Sequence, residues 1–228
     1  MFILPHQGLG DHIICNGLVR CLAEEHQTVS LIVSRSKEKS KGTGMIEFMY
    51  RDNPNIKIVG IEEADIRKTY EKARANPKEY ITVGYGYPKQ NNGNFDEWFY
   101  RSVNIDFKYR LEKFYIKRDL EAEEQIYNEL TNGEPYIFIH DDPTRGFVIQ
   151  RERLRKDLKI IENDISINFF NYRKLFENAE ELHLMQSGLY DFTNSIPLKK
   201  PNIFVHQYVR KYSSWYDATS CNNRIEIA

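Results

Sequence analysis

The sequence predicts an α/β protein built as two small Rossmann-like domains, each with a parallel sheet flanked by helices. Three observations lead there. Apolar runs of strand length alternate with helical periods four times in the first eighty-odd residues. A turn bearing two glycines joins the first run to the first helix. After a break at Thr131-Asn132-Gly133-Glu134-Pro135 the same alternation begins again. The expected division falls at Asn132, giving domains over residues 1–132 and 133–228.

Taken in order, Phe2-Ile3-Leu4 reads as a strand and His6-Gln7-Gly8-Leu9-Gly10-Asp11 as a turn. A helix follows from about His12, with Ile13, Ile14, Leu18, Cys21 and Leu22 at helical spacing. Val29-Ser30-Leu31-Ile32-Val33 is a second strand, followed by a polar stretch over 34–42. A short helix over 45–50, a turn at Asp52-Asn53-Pro54-Asn55 and a strand over 56–61 come next. Residues 66–76 read as a helix that Pro77 stops. Tyr80-Ile81-Thr82-Val83 is the fourth strand, and a polar loop with Tyr85 and Tyr87 runs to Asn94. Helices are expected over 95–103 and 119–130. In the second half, strands are expected over 136–140, 181–185 and 203–206, and helices over 171–178 and 188–195. A further helix is expected in the Tyr/Ser/Asn-rich tail, 210–228.

Composition narrows the function. Lys plus Arg number 32 against 33 Asp plus Glu, a balance that argues against a general nucleic-acid or polybasic membrane binder. No run approaches the roughly 18 apolar residues of a membrane helix, and no signal peptide is evident. Cys15, Cys21 and Cys221 form no framework, so reduced thiols and a cytoplasmic location are expected. The 15 Tyr and 13 Phe suit stacking on sugars and bases, and equally suit core filling.

Three constellations carry chemistry. The first is His6-x-Gly8-x-Gly10-Asp11. A dinucleotide fingerprint wants a third glycine where Ile13 stands, and an acid where the second strand ends in Ser34-Arg35. An NADP reading through Arg35 therefore stays open, and a P-loop lysine is absent. Asp11 reads either as a helix N-cap or as a working acid between His6 and His12. The second is His140-Asp141-Asp142-Pro143-Thr144-Arg145-Gly146. Its acids suit Mg²⁺ or ordinary turn chemistry, and Arg145 suits a diphosphate clamp or a surface turn. The third is Gln186-Ser187-Gly188, a strand-to-helix turn whose backbone N–H groups and hydroxyl suit phosphate. The basic run Arg151 to Lys156 reads as a solvated face or an anion holder. No metal-ligand spacing and no Gly-x-Ser-x-Gly elbow occurs.

Together these motifs resemble GT-B glycosyltransferases, nearest to the heptosyltransferase-like and fucosyltransferase-like sequences of bacteria and viruses. His6-Gln7-Gly8-Leu9-Gly10-Asp11-His12-Ile13 is similar to the Gly-Asp turn that opens the heptosyltransferase-like N-domain. Glu177-Asn178-Ala179-Glu180-Glu181-Leu182-His183-Leu184-Met185-Gln186-Ser187-Gly188 is similar to the C-domain strand and turn that meet the donor phosphates. Phe99-Tyr100 and Phe114-Tyr115-Ile116-Lys117-Arg118-Asp119 share the likeness. The resemblance implies two domains facing across a cleft and sugar transfer from a nucleotide-sugar to a glycan or other hydroxyl acceptor. It implies transfer without a cofactor or metal; from the composition, no nucleic-acid partner and no integral membrane segment are expected. Asp11 would be the general base, and the donor would fall on Arg145, Gln186, Ser187, Gly188 and His140. The acceptor would fall on the turn with His6, Gly8, Gly10, His12, Tyr85 and Tyr87. An NADP-linked oxidoreductase and a catalytically silent nucleotide- or sugar-binding module remain as alternatives.

Overall fold

A computed structural model describes residues 1–35, 43–87, 95–210 and 225–227. The chain forms two compact units, Met1–Lys117 and Arg118–Ala228.

The first unit contains strands β1 (Phe2–Pro5), β2 (Val29–Arg35), β3 (Ile56–Glu62) and β4 (Tyr80–Val83). Its helices are α1 (Leu9–Ile14), α2 (Asn16–His26), α3 (Thr43–Tyr50), α4 (Ile66–Ala75), α5 (Phe95–Arg101) and α6 (Tyr109–Glu112). The sheet order is β3-β2-β1-β4 and every pairing is parallel. A parallel strand covered on both faces reads as an unbroken apolar run, and Ile3, Leu4, Leu31, Ile32 and Val33 are all buried. Leu4 and Ile32 meet Ala73 of α4 and Tyr80, with Tyr70 packed alongside.

The helix expected from His12 is in fact two, starting at Leu9 and breaking at Cys15. The Tyr100 hydroxyl makes the break stable. It donates to the Ile14 carbonyl at 2.8 Å and accepts the Leu18 N–H at 3.3 Å, so the groups orphaned at the junction are satisfied. Asn16 and Arg20 then fasten the unit's last segment. Asn16 Oδ1 accepts the Tyr115 N–H at 3.0 Å, and Arg20 donates to the Tyr115 carbonyl at 2.7 Å while pairing with Asp52.

The second unit contains α7 (Leu120–Thr131), β5 (Tyr136–His140), β6 (Lys159–Glu162), α8 (Arg173–Asn178), β7 (Glu181–Leu184), α9 (Gly188–Ser195), β8 (Asn202–Val205) and β9 (Ile225–Ile227). The sheet is again all parallel, in the order β6-β5-β7-β8-β9. The sequence placed the division at Asn132, whereas the compact units part before α7. Arg118 explains this: it bonds both Glu123 of α7 and Glu177 of α8, and Lys174 of α8 bonds Glu124. Asp119 caps α7, its Oδ1 accepting the Ala122 N–H at 3.2 Å.

Two strands escape the sequence reading. In β6, Ile160 and Ile161 lie between Lys159 and Glu162, and Ile160 is exposed. In the tail, residues 225–227 are a strand; the helix expected there, like the polar stretch over 36–42 and the loop over 88–94, lies outside the described residues. Among the described residues no helix is long and apolar enough to cross a membrane.

Candidate active site

Parallel sheets place ligands outside the carboxyl ends of their strands, where the strand order reverses. In the first unit the reversal lies between β1 and β4, whose pairing runs from Phe2 opposite Tyr80 to Pro5 opposite Val83. The segments leaving those ends are His6-Gln7-Gly8 and Gly84-Tyr85-Gly86-Tyr87. In the second unit the reversal lies between β5 and β7, paired up to His140 opposite Leu184. There the leaving segments are Asp141–Gly146 and Met185–Ser187. The predicted site residues therefore collect at two switch points, one in each unit.

At the first, Gln7 fixes the chain as it leaves β1. Its Nε2 donates to the Pro5 carbonyl at 2.7 Å, and its Oε1 accepts the Ser34 N–H of β2 at 2.6 Å. Gly8 is the extended residue before α1 and has no side chain to cap it. Asp11, three positions on, reaches back instead and accepts the Gly8 N–H, the acidic half of a capping box. Asp11 is thus not the N-cap itself, because α1 starts earlier than the sequence suggested. A Cβ at Gly8 would lie 2.8 Å from Asp11 Oδ2, so the glycine makes room for the carboxylate.

Burial drives the Asp11 carboxyl up to about 6, the Gly8 N–H pulls it down, and the charge of Asp96 adds to the rise. His6 Nδ1 stands 3.8 Å from Asp11 Oδ2, with the two side chains 35% and 26% exposed. The imidazole is edge-on to three rings, with centroids at 5.0 Å for Tyr85, 5.5 Å for Phe95 and 5.7 Å for Phe99. Burial lowers its pKa, so at neutral pH it is uncharged. Gly84 admits Phe99: its φ is +84°, and a Cβ there would fall 2.0 Å from Phe99 Cε1 and 3.3 Å from His6 Cδ2. Asp96, next to Phe95, forms a pair with Arg110 at 3.1 Å, the two side chains only 3% and 1% exposed.

The other residues of this turn divide. Tyr85 stacks on Tyr70 at 4.3 Å and donates its hydroxyl to the Pro5 carbonyl at 3.3 Å, so it helps build the site's floor. Tyr87 lies edge-on to Phe95 and Trp98. Gly10 sits within the first turn of α1. His12 does not join Asp11 at the surface. It is 2% exposed, neither ring nitrogen has a hydrogen-bond partner among the described residues, and burial pushes its pKa down to about 4.

At the second switch point, Ser187 caps α9, its Oγ accepting the Tyr190 N–H at 3.3 Å, and Gly188 is the first helical residue. The Gln186 carbonyl accepts from Arg210 at 2.9 Å. His140 ends β5 half-buried; burial takes its pKa down to about 4, and its Nδ1 has no hydrogen-bond partner among the described residues. The two acids after it are engaged within the turn. Asp141 accepts the Ile149 N–H at 3.1 Å and Arg151 at 2.8 Å, while Asp142 accepts the Thr144 hydroxyl at 2.6 Å and Arg145 Nε at 2.5 Å. Arg145 stays exposed, with both Nη groups left unbonded by that contact. Two residues of the basic run are paired with acids, Arg151 also with Glu162 and Arg155 with Asp157 and Glu181, while Arg153 lies over the Tyr208 ring at 4.7 Å. Among the described residues no three His, Cys, Asp or Glu side chains gather as a metal site.

Gln7, Gly84, Phe95, Phe99, Asp96 and Arg110 shape the first site and were not among the expected site residues; Phe99 entered only through the family likeness. Gln7 lay within the turn already marked. Phe95 and Phe99 reach His6 from more than eighty positions away, Gly84 acts by admitting Phe99, and Asp96 and Arg110 act as a buried pair; no local pattern exists for these.

No family model matches the chain, and no curated protein matches it. Its structure is similar to that of the glycosyl transferase family 9 protein from Veillonella parvula DSM 2008. The match has a TM-score of 0.58 and 11% identity, and covers 100% of this chain and 85% of that one. The chain thus has the α/β fold of a glycosyl transferase family 9 structure.

Proposed function

We propose that the protein is a glycosyltransferase that moves a sugar from a nucleotide-sugar to an acceptor hydroxyl, with inversion at the anomeric carbon. The observation that carries this is Asp11: a carboxyl at a switch point, raised to about 6, next to a neutral imidazole. A base poised near the working pH combines availability with proton affinity. Inversion needs such a base on the face opposite the leaving group. The acceptor oxygen bonds to the anomeric carbon and passes its proton to Asp11. The bond from that carbon to the phosphate oxygen breaks, and its electron pair leaves with the nucleotide.

The donor belongs with the second unit. The α9 N-terminus with Ser187 and Gly188 offers N–H groups and a hydroxyl, Arg145 offers two guanidinium nitrogens, and His140 and Gln186 flank the crevice. His6, Gly8, Gly10 and Tyr87 line the acceptor turn. The shared fold with a glycosyl transferase family 9 protein supports the reading. The oxidoreductase alternative is disfavoured by Asp11, whose carboxylate fills the crook of Gly8 where a dinucleotide pyrophosphate would approach. Arg35, its candidate phosphate contact, pairs with Glu62 at 3.6 Å.

The test is a thermal-shift panel of GDP, UDP, ADP, CMP and NADPH, then a transfer and hydrolysis assay with the sugar nucleotide of the best binder. Asp11→Asn is expected to keep donor binding and lose roughly 10²-fold or more in kcat. Binding of NADPH alone would overturn the transferase reading, and donor binding without turnover would leave a silent module. Full turnover in Asp11→Asn would remove Asp11 from the chemistry.

A further inference from the structure

The imidazole of His6 is held more tightly than a turn residue requires. Three rings contact it edge-on, from two separate segments: Tyr85 after β4, and Phe95 and Phe99 of α5. A left-handed glycine, Gly84, lets Phe99 approach, and a second glycine, Gly8, leaves space for Asp11 Oδ2. The outcome is one ring nitrogen, Nδ1, 3.8 Å from one carboxylate oxygen, Oδ2. That separation exceeds a hydrogen bond by less than 1 Å. Among the described residues the His6 ring has ring contacts and this approach to Asp11, and no hydrogen bond to another group.

We propose that His6 is a positioning residue for Asp11: its Nδ1–H, 3.8 Å away, closes on Oδ2, which keeps the carboxylate charged and leaves its other lone pairs for the acceptor hydroxyl. This rests on Asp11 being the base of the proposed transferase. The tautomer follows from the neighbour, because a carboxylate accepts and the nitrogen facing it must donate. A neutral donor to the charged form favours ionisation. Burial and Asp96 push the other way. His6 therefore opposes them and keeps the carboxyl from rising past the range in which a base is useful. The groups facing Asp11 are His6 after β1, Cys15 at the α1–α2 junction, Tyr85 after β4, and Asp96 of α5 with its partner Arg110 of α6. Of these, His6 brings a ring nitrogen to 3.8 Å from Oδ2, while the Tyr85 hydroxyl is turned to the Pro5 carbonyl.

The experiment is an NMR titration of the Asp11 side-chain carboxyl in the ligand-free full chain, for wild type, His6→Phe, His6→Asn and His6→Gln. Phe keeps an aromatic ring among the three rings and has no donor. Asn places an amide nitrogen where Nδ1 was, and Gln places one nearer Nε2. The midpoint is expected to rise by roughly half a pH unit or more in His6→Phe and His6→Gln, and to return toward the wild-type value in His6→Asn. An unchanged midpoint in His6→Phe overturns the proposal, as does a shift that Asn fails to reverse. If His6→Phe does not fold, the Gln and Asn variants carry the same comparison. The readout uses no turnover. A shifted titration in a protein that transfers no sugar would uphold the positioning role as chemistry and sink the transferase reading. An unshifted titration in an active enzyme would do the reverse.

Discussion

Replacing Asp11 by Asn separates what this carboxylate does for activity from what it does to stability. Its pKa stands at about 6 in the folded protein against a reference of 3.8. At about 1.4 kcal/mol per unit, the ionised carboxyl destabilises the fold by about 3 kcal/mol. The side chain keeps 26% of its surface in water, and screening there reduces the figure to about 2 kcal/mol. The sign follows from proton binding. The unfolded chain releases this proton first as pH rises from 3.8, the folded chain only near 6, so the wild type loses stability across that window and stays lower above it. Asn keeps the shape and an oxygen for the Gly8 N–H, and has no charge to bury. Asp11→Asn is therefore expected to match the wild type below about pH 4 and to exceed it by about 2 kcal/mol at pH 7.5. Urea denaturation at both pH values measures this, and the midpoint at pH 7.5 should rise by about 1 M. A variant less stable than wild type at pH 7.5, or a gain equal at both pH values, would refute the argument that a buried negative charge is being tolerated for function.

Four more expectations follow from the same geometry. Gly84→Ala forces a left-handed Ala against Phe99 and should cost about 2–4 kcal/mol in urea denaturation; a cost below about 1 kcal/mol would contradict the packing. Asp96→Asn removes the carboxylate charge that pairs with buried Arg110 at 3.1 Å and should cost about 3–5 kcal/mol; the Asp11 midpoint, read by NMR, should fall because a neighbouring negative charge is gone. His12 and His206, each 2% exposed, have pKa values lowered from 6.5 to about 4, so the fold should lose up to about 3 kcal/mol per histidine as pH falls through that window, and His12→Leu should flatten its share in pH-dependent melts. Arg145→Ala removes an exposed guanidinium and should raise the donor KM about tenfold with kcat little changed, measured in steady-state transfer assays.

What the sequence disclosed follows how each feature is encoded. β1 and β5 open as unbroken apolar runs and β2 carries Leu31-Ile32-Val33, so local reading finds them; β4 and β7 are mixed but keep apolar residues at alternate positions between turn signals. β6 lies at a sheet edge with Lys159 and Glu162 at its ends, and its polarity hides it. The break between α1 and α2 is satisfied by a hydroxyl from Tyr100, more than eighty positions away, and no local rule finds it. The same holds for the division of the chain, where the charged helix α7 is claimed by Arg118 and Lys174 through ion pairs with Glu123, Glu177 and Glu124. At the candidate site, the glycine turn and Asp11 were legible because a strand, two glycines and an acid at a helix start occur within ten residues. The supports of that acid were not, because Phe99 reaches His6 only through the gap at Gly84, and Asp96 meets Arg110 only in the folded core.

Charge then distinguishes the two switch points. The first carries a carboxylate set against its own glycine, with Asp96 behind it and a neutral imidazole beside it. Bringing a diphosphate to that turn would add negative charge next to an acid already raised by desolvation, and would push its pKa beyond the range where it serves as a base. The second has its acids tied up: Asp141 by Arg151, and Asp142 by Thr144 and Arg145. What remains there is the pair of Arg145 Nη groups and the opening turn of α9, with Ser187 as its cap. An anionic donor and a carboxylate base repel each other in one turn. On the proposed transferase reading the base falls in the first unit and the phosphates in the second, and the charge already held at the first turn is the electrostatic argument against a dinucleotide there.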